Sequence, residues 1–228
     1  MNTAVLGTGM VGQILSAKLA SLDHQVTIGT RDVAATLARH DKDAYGRPAF
    51  SDWYEDQPDI QLDSFANASS QAELVINAIS GGGSLAALEL AGEDNLNGKI
   101  LIDIANPLDF SQGMPPTLSI VNTDSLAEQI QQHFPKVKVV KTLNTMNASL
   151  MVDPQQLLQG DHSVFVSGND ADAKANVSQL LQSFGWHVDN IIDLGDISTA
   201  RGTEMLLPIW LRLYGALETP MFNFKVVH

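Results

Sequence analysis

Short apolar stretches alternate with amphipathic stretches along most of the chain, and this alternation predicts strands and helices in turn. Several of the apolar stretches, such as Leu74-Val75-Ile76 and Ile100-Leu101-Ile102, are apolar at consecutive positions. Consecutive apolar residues are typical of strands that helices cover on both faces of a parallel sheet. The predicted strands lie near residues 2–6, 25–28, 60–62, 74–79, 99–104, 138–142, 163–167 and 188–194.

Helical patterns lie between these strands, near residues 13–22, 33–40, 84–90, 125–133 and 171–184. This order of elements predicts an α/β fold with a doubly wound, mostly parallel sheet. Residues 41–59 are irregular, with one short helix expected near 52–56. After residue 197 the rhythm changes, and residues 200–217 are predicted to form one helix that Pro208 kinks.

A glycine turn joins the first predicted strand to the first predicted helix. The first of its three glycines permits a tight turn, the second lets the backbone approach a pyrophosphate, and the third lets helix and strand pack closely. The helix N-terminus offers free N–H groups and a positive dipole end to phosphates. We therefore predict a dinucleotide site; the alternative is an ordinary glycine-rich turn. The turn consists of Gly7, Thr8, Gly9, Met10, Val11 and Gly12.

The end of the second strand indicates which dinucleotide binds. An NAD enzyme usually places an acidic residue there, for the ribose hydroxyls. Here Gly29 is expected to make room, and the Thr30 hydroxyl and the Arg31 guanidinium can donate to a phosphate. This favours NADP over NAD. Asp32 is the opposing observation, and we interpret it as the N-cap of the next helix. The alternative for Arg31 is a solvated surface charge.

Three other strand ends carry residues suited to a ligand, because ligands of doubly wound sheets lie at the carboxyl ends of strands. Turn chemistry alone is the alternative interpretation of such residues. The amide of Asn106 could donate or accept at a nicotinamide edge, while Pro107 ends its strand. The remaining candidates are Ile79 and Ser80 before the glycines 81–83, and Asn144 and Thr145 at the corner 141–147.

Composition excludes several functions. The 228 residues include 13 Lys and Arg against 26 Asp and Glu, a net charge of −13 that repels nucleic acids and anionic lipids. Without cysteine, disulfides and thiolate chemistry are excluded. We expect no signal peptide and no membrane span, since Arg212 interrupts the apolar stretch 206–217, and hence a cytoplasmic protein. No metal site is expected from the scattered histidines His24, His40, His133, His162, His187 and His228.

Four segments carry a resemblance to a known family. They are Gly7-Thr8-Gly9-Met10-Val11-Gly12, Val26-Thr27-Ile28-Gly29-Thr30-Arg31, Asn106-Pro107-Leu108 and Val139-Val140-Lys141-Thr142-Leu143-Asn144-Thr145. In these segments the chain resembles the NADP-dependent deazaflavin oxidoreductases, in which NADPH exchanges hydride with coenzyme F420. Pyrroline-5-carboxylate reductase and the cytosolic part of membrane ferric reductases share the superfamily motif. Residues similar to the family's terminal helix extend the resemblance over nearly the whole chain: Ala200-Arg201, Glu204, Leu207-Pro208, Trp210-Leu211 and Tyr214-Gly215.

The resemblance implies an NADP-binding Rossmann domain over residues 1–196 and a small C-terminal helical annex over 197–228 that completes the substrate pocket. It also implies a homodimer. By the same resemblance, residues 8–11 hold the pyrophosphate and Thr30 with Arg31 holds the adenosine-side phosphate. The glycines 81–83 depart from the bulkier segment expected there. The residues implied to border the nicotinamide and its partner are Ile79, Ser80, Asn106 and Asn144, next to Pro107 and Thr145.

The leading hypothesis is an enzyme that transfers hydride between NADP(H) and a small ring acceptor, such as F420 or a flavin. Positioning of two rings supplies much of such a rate, so no catalytic side chain is assigned. A ketone or imine reductase is an alternative, and it would need a proton donor. Lys141, Tyr214 and His187 are the available candidates, for which structural roles are favoured. A non-catalytic, NADP-binding redox sensor is the alternative from another class.

Overall fold

The computed structural model describes residues 1–42 and 46–227. All eight predicted strands are present among them, and the last begins at Ile191 because residues 188–190 form a 3₁₀ turn. The strands are β1 (Asn2–Leu6), β2 (Gln25–Thr30), β3 (Ile60–Ser64), β4 (Leu74–Asn77), β5 (Ile100–Asp103), β6 (Leu108–Asp109), β7 (Thr117–Leu118), β8 (Lys138–Thr142), β9 (Val164–Gly168) and β10 (Ile191–Gly195).

Helices connect most of these strands. They are α1 (Met10–Ser21), α2 (Val33–Leu37), α3 (Phe50–Glu55), α4 (Phe65–Gln71), α5 (Gly81–Ala91), α6 (Glu93–Leu96), α7 (Leu126–His133), α8 (Ala148–Val152), α9 (Ala171–Ser183), α10 (Ala200–Glu204) and α11 (Leu207–Leu217). None of the helices in the described part of the chain is long and apolar enough to cross a membrane.

The main sheet has eight strands in the order β10-β9-β8-β5-β4-β1-β2-β3. The six strands from β8 to β3 are parallel to one another. Strand β9 runs antiparallel to β8, and β10 runs parallel to β9. This arrangement confirms the predicted doubly wound, mostly parallel fold, and it brings the carboxyl ends of β1, β2, β4, β5 and β8 to one edge.

The core lies on both faces of the sheet, as the consecutive apolar residues predicted. Val5 of β1 packs with Leu15 and Leu19 of α1 on one face. Its neighbours Ala4 and Leu6 pack on the other face, with α4 and α5. Alternate side chains of one strand thus enter different halves of the core, which is why the strand needs no polar positions.

The prediction of one kinked helix over residues 200–217 is wrong. Two helices occupy this segment, and α10 ends at Glu204 before α11 begins at Leu207. Pro208 lies in the first turn of α11, where a missing N–H group breaks no intrahelical hydrogen bond. Glycines 81–83 likewise form the first turn of α5, which starts earlier than predicted.

Candidate active site

The glycine turn brings β1, α1 and the end of β4 into close contact. A Cβ atom on Gly12 would lie 2.1 Å from the carbonyl oxygen of Gly7. A Cβ on Gly7, whose φ is +120°, would lie 2.7 Å from the carbonyl oxygen of Ala78. A Cβ on Gly9 would meet nothing within 4 Å. Two of the glycines therefore serve packing, while Gly9 faces open space on the ligand side.

A cavity of about 600 Å³ opens above this turn, at the carboxyl ends of β1, β2 and β4. We call it the coenzyme cavity. The predicted site residues that line it are Gly7, Thr8, Gly9, Thr30, Arg31, Ile79 and Ser80. The structure thus brings residues from three separate segments of the sequence to one place.

Two guanidinium groups, those of Arg31 and Arg39, line the coenzyme cavity and flank α2. Both residues are exposed, and neither side chain forms a hydrogen bond or ion pair with the described residues. Arg39 was not predicted from the sequence, although its position just beyond α2 was a usable signal. Asp32 caps α2, since its Oδ1 accepts a hydrogen bond of 2.9 Å from the Ala35 N–H. The interpretation of Asp32 as an N-cap is confirmed.

Gly29 and Thr30, which both line the coenzyme cavity, also have packing and hydrogen-bond contacts that the sequence did not predict. A Cβ on Gly29 would lie 2.6 Å from Leu6 Cδ2 and 3.1 Å from Phe65 Cδ1, so the packing of the core requires a glycine here. Thr30 is almost fully buried, and its hydroxyl shares a 2.8 Å hydrogen bond with the hydroxyl of Thr36. Arg31 and Arg39 are therefore the more accessible donors.

A second cavity of about 470 Å³ adjoins the first, because residues 78–80 line both. We call it the acceptor cavity. Asn106 and Asn144 lie in its wall and bind each other: Asn106 Nδ2 donates to the Asn144 carbonyl (2.8 Å), and Asn144 Nδ2 donates to Asn106 Oδ1 (2.9 Å). Its apolar lining includes Phe110, Met146, Met151, Leu207 and Trp210.

Four predicted site residues lie elsewhere than in these two walls. Gly12 packs against Gly7, as described above. Pro107 uses its carbonyl to accept a hydrogen bond of 2.8 Å from the Ser119 N–H. Thr145 is buried. Met10 lines a neighbouring cavity of about 520 Å³, whereas Val11 does line the acceptor cavity.

A buried cluster of charged groups lies behind the acceptor cavity. Lys141 Nζ contacts Asp103 Oδ2 and Glu204 Oε1, each at 2.8 Å, and donates to the Ala105 carbonyl. Glu204 also accepts hydrogen bonds from the Leu126 and Ala127 N–H groups at the start of α7 (2.9 and 3.2 Å). All three charged side chains are fully or almost fully buried. We call Lys141, Asp103 and Glu204 the buried charge cluster.

The protonation of this cluster follows from its geometry. Burial opposes the charged form of Lys141, but Asp103 and Glu204 together outweigh it and raise the pKa of the ammonium above its usual value. Burial raises the pKa of Glu204, while Lys141 and the Leu126 amide act in the opposite direction. Lys141 is therefore a charged structural group that a substrate cannot reach.

The other two candidate proton donors are also remote. His187 is exposed and lies 3.4 Å from Asp189, and Tyr214 stacks on Trp210 outside both cavities. Within residues 1–42 and 46–227, no group of three or more histidine or acidic side chains is placed to hold a metal ion. His228 lies outside the described residues.

The fold and the paired cavities define a Rossmann-type oxidoreductase, and comparison with known proteins gives its coenzyme and family. Residues 2–107 match the family model described as NADP oxidoreductase, coenzyme F420-dependent. A crystal structure from Arthrobacter sp. FB24, provisionally named an F420-dependent NADP-reductase, is 62% identical with a TM-score of 0.94, and the match covers 100% of both chains. The protein is therefore an NADP-dependent oxidoreductase. It belongs to the F420-dependent NADP oxidoreductase family, which confirms the resemblance seen in the sequence.

The chain is also similar to two more distant relatives. The F420-dependent NADP reductase of Methanocaldococcus jannaschii is 27% identical over 219 residues, which are 93% of this chain and 92% of the relative. The metalloreductase STEAP3 of Rattus norvegicus is 26% identical over 211 residues, which are 90% of this chain. The chain spans only 37% of the length of STEAP3.

Proposed function

We propose that the protein transfers hydride between NADPH in the coenzyme cavity and a deazaflavin ring, such as that of coenzyme F420, in the acceptor cavity. The observation that carries the proposal is the shared wall at residues 78–80, which joins a cationic cavity to an apolar one. A nicotinamide at this wall would face the second cavity. When bound, NADPH supplies the hydride.

The coenzyme side of the proposal rests on the residues around the glycine turn. The open space at Gly9 allows a phosphate to approach the backbone, and the N-terminus of α1 directs free N–H groups toward it. Arg31 and Arg39 would bind the adenosine-side phosphate, because a guanidinium forms paired hydrogen bonds with phosphate oxygens. These donors act locally in a chain of net charge −13.

The acceptor side rests on the chemistry of the second cavity. Among the described residues, no titratable side chain lines it. A ketone or imine would need a proton from a positioned donor, whereas an extended ring spreads the transferred charge over its own atoms. The apolar walls formed by Met146, Met151 and Trp210 would exclude water, and the mutually bound Asn106 and Asn144 would orient the two rings.

The decisive experiment is NADPH oxidation by the purified protein with three acceptors: F420, FMN and a cyclic imine. We expect the loss of the visible absorbance of F420 to match NADPH consumption, with little turnover of the imine. Tight NADPH binding without turnover of any acceptor would instead favour the redox sensor.

Titration of the protein with NADPH and with NADH tests the coenzyme contacts. Arg31→Ala is expected to weaken NADPH binding by about 1–3 kcal/mol and to leave NADH nearly unchanged, because it removes a charge-assisted hydrogen bond. Lys136→Ala, which removes an exposed cation outside both cavities, is the control. Equal losses for the two nucleotides would contradict the role given to Arg31.

We also propose that the chain forms a homodimer through α11. Ile209, Tyr214 and Leu217 of this helix are 48%, 46% and 52% exposed, which is unusual for large apolar side chains on one helix. Arg212 is the only charged residue within α11, so two copies could meet there despite their overall negative charge.

A further inference from the structure

The buried charge cluster has no place in hydride transfer, yet its charged side chains carry a large desolvation cost. Three elements of the sheet region converge on it: β5 through Asp103, β8 through Lys141, and α7 through its first amides. Glu204 is the only member that comes from the C-terminal segment. It is therefore the charged link between that segment and the parallel sheet.

The position of Glu204 in the chain connects this link to the acceptor cavity. Glu204 ends α10, and Leu207 begins α11 three residues later. Leu207 and Trp210 form part of the wall of the acceptor cavity. Leu207 is also the only buried residue of α11. Within one copy of the chain, α11 has few buried contacts beyond its first turns.

A second, more exposed ion pair supports the same attachment. Arg201 of α10 donates two hydrogen bonds to Glu128 of α7, from Nε to Oε2 (2.8 Å) and from Nη2 to Oε1 (2.5 Å). Glu128 is itself held by the Ser125 hydroxyl, which donates to Oε2 (2.8 Å). Helix α10 is thus joined to α7 at two points, one of which is also joined to β8.

We propose that Lys141 and Glu204 are positioning residues, which act through α10 to hold Leu207 and Trp210 in the wall of the acceptor cavity. The inference rests on the proposed function, in that this cavity takes the acceptor. Neither residue lines the coenzyme cavity. Loss of the pair should therefore affect the acceptor and spare the coenzyme. A substitution of Asp103 would test this less selectively. Asp103 also accepts a hydrogen bond from Asn77 Nδ2 (2.8 Å) next to the wall that both cavities share.

The test uses Glu204→Gln and Glu204→Leu in the full chain. Glutamine keeps the shape and an oxygen for the α7 amides but loses the charge, whereas leucine loses both. We expect the KM for F420 to rise about tenfold with glutamine and further with leucine, since a displacement of about 1 Å at a reacting centre can cost about a hundredfold. The dissociation constant of NADPH should change less than twofold. Glu89→Gln, an exposed glutamate on α5, is the matched control.

Hydrogen exchange gives a readout that does not depend on turnover. Exchange of residues 207–217 should become faster in both variants, while that of residues 10–21 stays unchanged. If the Glu204 variants do not fold, Arg201→Gln removes the more exposed ion pair between α10 and α7. It should raise the KM for F420 by a smaller factor and leave the dissociation constant of NADPH unchanged.

Two results would overturn the inference: an equal rise in the NADPH dissociation constant and the F420 KM, or unchanged exchange of residues 207–217. If the wild-type protein does not reduce F420, the proposed function fails. The exchange of α11 and the NADPH affinity then still decide whether the cluster positions this wall.

Discussion

Gly9 and Gly12 belong to the same turn but have opposite surroundings. The space beside Gly12 is filled by the protein's own backbone, whereas the space beside Gly9 is open. The sequence motif predicted this division, with Gly9 for the approach of a pyrophosphate and Gly12 for close packing of helix and strand. The structure confirms the tight packing at Gly12 and leaves the space beside Gly9 open for the proposed ligand.

This difference predicts opposite phenotypes for the same substitution. Gly12→Ala should lower the free energy of unfolding by about 3 kcal/mol, the upper end of the usual cost of overpacking. Gly9→Ala should cost no more than about 1 kcal/mol, as alanine is a poorer N-cap, yet it should strongly weaken NADPH binding. Urea unfolding and NADPH titration of both variants check this. A Gly9→Ala protein that binds NADPH normally would show that phosphates do not approach this residue.

At the scale of single residues, the sequence predicted strand-end positions better than it predicted their roles. Arg31 and Asp32 lie as expected at the end of β2, and Asp32 caps α2. The packing role of Gly29 was not predicted, because the residues that crowd its Cβ position, Leu6 and Phe65, come from β1 and α4. Such long-range packing leaves no trace in the local pattern.

Among the secondary-structure elements, α2 is the one whose stability should affect the proposed binding of the coenzyme. It is only five residues long, and Arg31 and Arg39 lie on either side of it. A helix this short depends on its cap, because isolated short helices are marginal. Asp32 therefore helps to position Arg31 and Arg39, because it stabilises the helix between them. Its own negative charge does not favour the binding of a phosphate.

The cap can be separated from the charge by two substitutions. Asp32→Ala should lower the free energy of unfolding by about 1 kcal/mol and weaken NADPH binding, because α2 frays. Asp32→Asn retains a capping oxygen, so its stability should stay within a few tenths of a kcal/mol. Its NADPH affinity should equal or exceed that of the wild type, since a negative charge is removed. Weaker NADPH binding in Asp32→Asn would mean that the carboxylate itself contacts the coenzyme.

Element prediction succeeded where the apolar pattern was long and failed where elements were short. The strands β1, β4 and β8 were found because a run of consecutive apolar residues between turn residues is typical of a strand buried on both faces. Strands β6 and β7 have two residues each and carry no periodicity. The segment 200–217 looked continuous because α10 and α11 are separated by only two residues, and only tertiary contacts reveal the break.

For the whole molecule, most site residues meet only through the topology of the sheet. The strand ends of β1, β2, β4, β5 and β8 could be expected to converge, because parallel strands share one edge. The binding between Asn106 and Asn144 could not be derived from the sequence, nor could the contact of Lys141 with Glu204. These pairs join distant segments through side-chain geometry. The division of the chain after residue 196 remains a prediction.

The proposed dimer gives a test at the same scale. Light scattering during size-exclusion chromatography is expected to give twice the chain mass of 24.6 kDa. Leu217→Glu should shift the protein toward the monomer, because it buries a charge in an apolar contact. Leu90→Glu, which replaces an equally exposed leucine on α5, should leave the mass unchanged. A wild-type protein that stays monomeric would contradict the proposal.

The residues that distinguish the walls of the two cavities come from opposite ends of the chain. Everything around the glycine turn comes from the first eighty residues, whereas Leu207 and Trp210 belong to a late helix. Engineers could therefore exchange the late helix for variants shaped to other electron acceptors while retaining the existing nucleotide preference. On the proposed function, sequence changes confined to α11 would alter the choice of redox acceptor and leave the preference for NADP unchanged.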